Sequence, residues 1–140
     1  MDQSGYQAMD HPADLRFRVW APDLESLFRQ AALALLDTLF PGEGDGGAQT
    51  LAARVDVDLE GVDRDDLLVR WLGELHFQAE TRRLVPQAIT FQQLEATRLR
   101  AECIMVEAPP PGCEIKAVTY HQSGITEADG RLEAALLFDV

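Results

Sequence analysis

Little in this chain announces chemistry on its own. Cysteine occurs only as Cys103 and Cys113, too few for a disulfide framework. The pair flanks Pro109-Pro110-Pro111-Gly112. A loop-closing disulfide is therefore conceivable, beside the alternative of one buried thiol and one loop thiol. No hydrophobic run approaches the ~18–20 residues of a membrane span. The N-terminus carries Asp2 without a basic-then-apolar pattern, so no secretory signal is expected. These absences point to a soluble cytoplasmic protein with reduced thiols. G-x-S-x-G, P-loop, dinucleotide-glycine and paired C-x-x-C patterns are missing, which leaves nucleophilic catalysis without a clear candidate. His121 and Ser123 share one side of a strand without being poised for it, and His76 reads as a partly buried histidine beside an apolar stripe.

Basic residues are scarce too. Twelve Lys and Arg stand against 24 Asp and Glu, for a net charge of −12, and Lys116 is the only lysine. Neutralising phosphates needs a basic surface, so direct nucleic acid binding is not expected. A basic protein partner or cations suit this surface better, and solubility alone also accounts for it.

What the chain does have is periodicity. Its 140 residues with 46% hydrophobic content suffice for one domain, 1–140, with a real core. Tyr6 to Met9 and the alternating Leu15 to Trp20 read as strands. Asp23 can cap a helix whose face is Leu24, Leu27, Phe28, Ala31, Leu35 and Leu39. Pro41 and the glycine-rich GEGDGG end it. Thr50 to Glu60 alternates again, and Asp63 caps a second helix with the stripe Leu68, Trp71, Leu72, Leu75 and Ala79. Segments 86–93, 98–106, 114–122 and 131–139 read as strands, with a turn in Glu127–Gly130. The expected fold is α+β: a two-layer sandwich, a mainly antiparallel sheet with two amphipathic helices on one face.

Carboxylates are the better chemical lead. Asp10, His11 and Asp14 crowd the entry to a strand, and Asp139 precedes the last residue, Val140. If the first and last strands are neighbours, Asp14, Asp139 and a terminal carboxylate could meet. Three negative groups together call for a cation. Asp10, Asp14 and Asp139 could also simply cap turns and face water, and Asp37 reads as a wet-face helix residue, with an acid supporting a site as the alternative.

Four segments, taken together, go further: DHPADLRFRVWAPDLESLFRQAALALLDTLF, LLVRWLGELHF, EIKAVTYHQ and the terminal FDV. In this order and spacing the chain resembles the archease family over essentially its whole length. The stretch Cys103–Gly112 departs from the family pattern, being shorter and richer in proline. The resemblance implies a divalent metal, calcium in crystals and possibly manganese or magnesium in the cell, held by Asp14, Asp139 and Val140. His11, Lys116 and His121 are candidate supporting residues. If the strand is regular, Lys116 and His121 point to opposite faces. It implies no catalytic residue here and a protein partner, the GTP-dependent RNA ligase of tRNA splicing and RNA repair. That ligase attaches GMP to its own histidine using manganese, and archeases promote this step and its turnover. Two alternatives remain: a general chaperone-like binding module, and a metal-dependent phosphoesterase using His11 and Asp14.

Overall fold

Each expected helix and strand has its counterpart in the computed structural model, which describes residues 3–9, 15–41, 51–110 and 112–140, with backbone alone at 8–9 and 120–123. In chain order these are β1 (Gly5–Met9), β2 (Leu15–Ala21), α1 (Leu24–Leu39), β3 (Leu51–Glu60), α2 (Arg64–Thr81), β4 (Leu84–Leu94), β5 (Arg98–Glu107), β6 (Ala117–Ala128) and β7 (Arg131–Asp139).

Both helix starts are set by a side chain. The Asp23 carboxylate accepts from the Ser26 N–H at 2.8 Å, and Asp63 accepts from Asp66 N–H at 2.8 Å. Asp66 in turn accepts from Val62 N–H at 2.9 Å, which ties the chain before the cap to the first turn. Leu27, Phe28, Ala31 and Leu35 of α1 and Leu68, Trp71, Leu72 and Leu75 of α2 are fully buried, as their spacing predicts. The Trp71 indole N–H donates to the Phe28 carbonyl at 3.1 Å, which locks α2 onto α1 and satisfies the one polar atom of a large buried ring.

The backbone conformation just past α2 was not legible from residue type. Arg83 adopts φ 59, a left-handed conformation that usually falls to glycine after a helix. Such a residue costs ~1–3 kcal/mol unless its surroundings hold it. Here Arg83 donates to the carbonyls of Ala79 at 3.2 Å and Pro109 at 2.8 Å, and its own carbonyl accepts from Ala108 N–H at 2.8 Å.

All strand pairings described are antiparallel, and the fold is α+β as expected. The strands divide between two sheets, ordered β1-β2-β7-β6 and β3-β5-β4. Each helix touches strands of both sheets. The core therefore combines Phe17, Val19, Leu136 and Phe138 of the first sheet with Val57, Leu99, Ala101 and Met105 of the second.

The β6 strand differs from its sequence reading at both ends. Residues 114–116 are not strand, and β6 continues to Ala128. Register breaks between Tyr120 and Ile125, where four residues of β6 face the single Ala135 between Leu136 and Ala134. Gly124 sits there at φ 63, and a Cβ on it would collide with the Asp65 carboxylate. The turn in Glu127–Gly130 is the two-residue loop Asp129-Gly130, both at positive φ, which matches the twist of the flanking strands.

Candidate functional site

The last strand pairs with the strand that follows Asp14, which is the second of the chain rather than the first. β2 begins with Leu15 opposite Phe138, one residue from Asp139. On the other side of β7, Ala117 pairs with Asp139, and the Lys116 N–H donates to the Asp139 carbonyl at 2.7 Å. β7 is thus held between two strands as far as Phe138, and by the β6 side to its last residue. Alternation then decides which side chains look outward. Phe138 is buried, while Asp139, Val140 and Lys116 are exposed. Asp10, His11 and Asp14 lie outside the described residues, as does the side chain of His121. The opposed-face argument for Lys116 and His121 assumed a regular strand. Lys116 precedes β6, and His121 lies where β6 loses register.

The described donors are oxygens, the Asp139 carboxylate and Val140, and oxygen donors suit a hard divalent cation. The Asp139 main-chain oxygen is engaged by Lys116. Among the described residues no three His, Cys, Asp or Glu side chains gather into a metal-binding group. A full ligand set therefore draws on other residues or on water.

An aromatic row supports this end. Tyr6, Phe17 and Phe138 lie side by side across β1, β2 and β7, with ring centroids 6.1 and 5.1 Å apart. Asp37 is exposed on α1, as read from the sequence, but it also accepts a short hydrogen bond from the Tyr6 hydroxyl. Burial, then this bond and the Asp37 charge, push the Tyr6 pKa up to about 12. Nothing in the sequence joins residues 31 apart across a helix and a strand, so this tie was missed.

Asp65 was missed as well. Its carboxylate accepts from Ile125 N–H at 2.8 Å and packs on Gly124, so α2 fixes the irregular segment of β6 that carries His121.

A cavity of ≈ 440 Å³ opens between the C-terminal ends of α1 and α2 and the segment Gly112–Glu114, two residues from Lys116. Leu39, Phe40 and Ala79 give it an apolar wall, and Glu80, Arg83 and Glu114 a polar one. Cys113 also lines it, partly exposed and free; Cys103 is free and buried. Burial, then the Glu74 charge, raise the Cys103 pKa to about 11. The pair is thus one buried thiol and one loop thiol. His76 is mostly buried, 3.3 Å from Glu80.

Fold and site together define an acidic α+β protein with exposed oxygen donors at one strand end and no helix, among the described residues, long and apolar enough to cross a membrane. The chain belongs to the archease family, whose model, described as the Archease protein family, matches residues 6–140. It is similar to protein archease of Methanopyrus kandleri, 32% identical over 142 residues, covering 96% of this chain and 99% of the relative. It is also similar to protein archease of Ictalurus punctatus, at 27% identity over 89% of this chain and 78% of the relative. The solution structure of Methanobacterium thermoautotrophicum protein 1598 superposes with a TM-score of 0.73 at 27% identity, covering 97% of this chain and 99% of that one. The crystal structure of a Thermotoga maritima archease, described as a possible chaperone, shares the fold with a TM-score of 0.67 at 18% identity, covering 96% of each chain.

Proposed function

We propose that this chain is a protein activator of a GTP-dependent RNA ligase that acts in tRNA splicing and RNA repair, and is itself not a catalyst. The ligase joins RNA ends bearing a 2′,3′-cyclic phosphate or 3′-phosphate to a 5′-hydroxyl. It first attaches GMP to its own histidine, and the activator promotes that step and restores turnover. Family membership supports the reading. The structural observation that carries it is the β2–β7 register: Leu15 opposite Phe138 sets the start of β2 beside the end of β7, where Asp139 and Val140 are exposed.

In this reading Asp14, Asp139 and Val140 hold a divalent cation, calcium, manganese or magnesium. Three protein ligands leave such an ion short of its ~6–8 oxygens, so a partner or water completes the shell. The open shell lets this end approach the nucleotide and metal pocket of the ligase. His11, Lys116 and His121 support it. The net charge of −12 favours approach to a basic, RNA-binding enzyme.

The test is RNA ligation at limiting ligase with GTP and manganese, with and without this protein. The expected result is a rise from about one turnover to many, lost in Asp14→Ala and in Asp139→Ala. A chaperone-like module would instead protect unrelated proteins from aggregation and be indifferent to both substitutions. Hydrolysis of a phosphodiester by the isolated protein, lost in Asp14→Ala, would support the phosphoesterase alternative.

A further inference from the structure

The outward face of the four-stranded sheet runs against the charge of the chain. On β2, Arg16, Arg18 and Trp20 alternate with buried Phe17, Val19 and Ala21, so all three point away from the core. Pairing puts Trp20 opposite Glu133, and Arg131, two residues earlier on β7, shares that face. Three guanidiniums thus lie on one face, with Glu133 as the acid among its central described side chains. Glu133 is taken up by Arg131 at 2.6 Å.

The tryptophan sits among these charges. Arg18 and Arg131 each place their guanidinium carbon 5.6 Å from the Trp20 ring centroid. On the neighbouring strand Trp20 faces Gly5, where a Cβ would stand only 2.8 Å from the indole. Only glycine lets the ring lie down across β1. The result is an indole laid on the sheet and flanked by two planar cations. Arg16 and Arg18 follow at ~6.7 Å along the strand.

We propose that this face binds a single-stranded nucleic acid. Arginine forks recognise phosphate oxygens, and guanidinium and indole planes are surfaces on which unpaired bases stack. A duplex, with its bases stacked inside, would gain little from Trp20. An acidic peptide would use the arginines but not the ring. The strongly acidic remainder of the chain makes binding weak and confines it to this face. The inference does not depend on the ligase reading, because binding is read on the isolated protein.

The experiment is a fluorescence-anisotropy titration of a short labelled oligouridylate with the full chain at low ionic strength, repeated over a series of salt concentrations. Saturable binding is expected, with a log–log salt slope near −1.4, as for about two phosphates, one for each of Arg16 and Arg18, at ~0.7 each. Arg18→Glu and Trp20→Ala are each expected to weaken it by about tenfold or more. Arg98→Glu, on the other sheet, is expected to leave it unchanged. Circular dichroism of each variant separates lost binding from lost folding, and Arg18 is exposed. Absence of saturable binding would overturn the proposal. So would equal weakening by Arg98→Glu, equal affinity for duplex RNA, or displacement by polyglutamate as readily as by unlabelled RNA.

Discussion

On the three-stranded sheet Arg98 is bracketed by Asp58 at 2.8 Å and Glu60 at 2.7 Å, and Arg54 reaches Glu102 at 3.7 Å. On the four-stranded sheet Arg18 and Arg131 flank one indole, Arg131 holds Glu133, Arg16 lies further along the same face, and the same sheet ends in exposed Asp139 and Val140. The first face cancels its own charge across neighbouring strands. The second segregates it, positive along the middle and negative at the end. Paired surface charges contribute little and bind nothing in particular, whereas segregated charge creates a field that a partner can read. The comparison teaches where recognition belongs in a protein whose total charge alone says only that it is acidic.

Substitutions can break this contrast one sheet at a time. The largest effect on stability is expected from Trp71→Ala. Trp71 is fully buried, donates to Phe28 and packs on Phe91 of the three-stranded sheet at 5.3 Å. A loss of ~3–5 kcal/mol should appear in urea unfolding. Gly124→Ala acts on the four-stranded sheet alone. It strains a positive φ and displaces Asp65, which should cost ~1–3 kcal/mol and disturb β6 while the β3-β5-β4 amides keep their hydrogen-exchange protection. Arg98→Ala unpairs Asp58 and Glu60 on the opposite sheet. A smaller loss is expected, one that shrinks as salt is added and leaves ligase activation unchanged.

The smallest effect is a titration. The chain has two tyrosines, and the Tyr6 phenol is held protonated up to about 12. The folded state thus binds this proton more tightly than the unfolded chain, whose tyrosines titrate near 10. The contribution of Tyr6 is complete below pH ~10 and disappears as pH rises through about 12. Ultraviolet titration should show one late phenolate, absent in Tyr6→Phe.

Elements were legible in the sequence because periodicity and caps are local. Asp23 and Asp63 mark both helix starts, and the alternation from Leu15 continues to Ala21. A period of two gives the face of a side chain but not its partner strand, so the division into two sheets was not readable. β6 ran past its expected end because Asp65, some 60 residues earlier, holds Ile125 through an irregular segment. Arg83 took a glycine conformation for the same reason, through contacts with the segment at Pro109. At the candidate site, the sequence posed the approach of the first and last strands only as a condition, because alternation does not give strand order. The basic face was not legible, because net charge sums over the chain and Arg131 reaches Trp20 only through strand pairing.

The central claim is that the β2–β7 end is the working end of a ligase activator. The most direct measurement is the rate of GMP attachment to the ligase histidine, with manganese and stoichiometric wild-type protein, Asp139→Ala, or protein extended by a few residues beyond Val140. The account predicts acceleration by the wild type and loss of it in both altered proteins, each with an unchanged circular dichroism spectrum. Acceleration that survives Asp139→Ala, or that tolerates the extension, would contradict it.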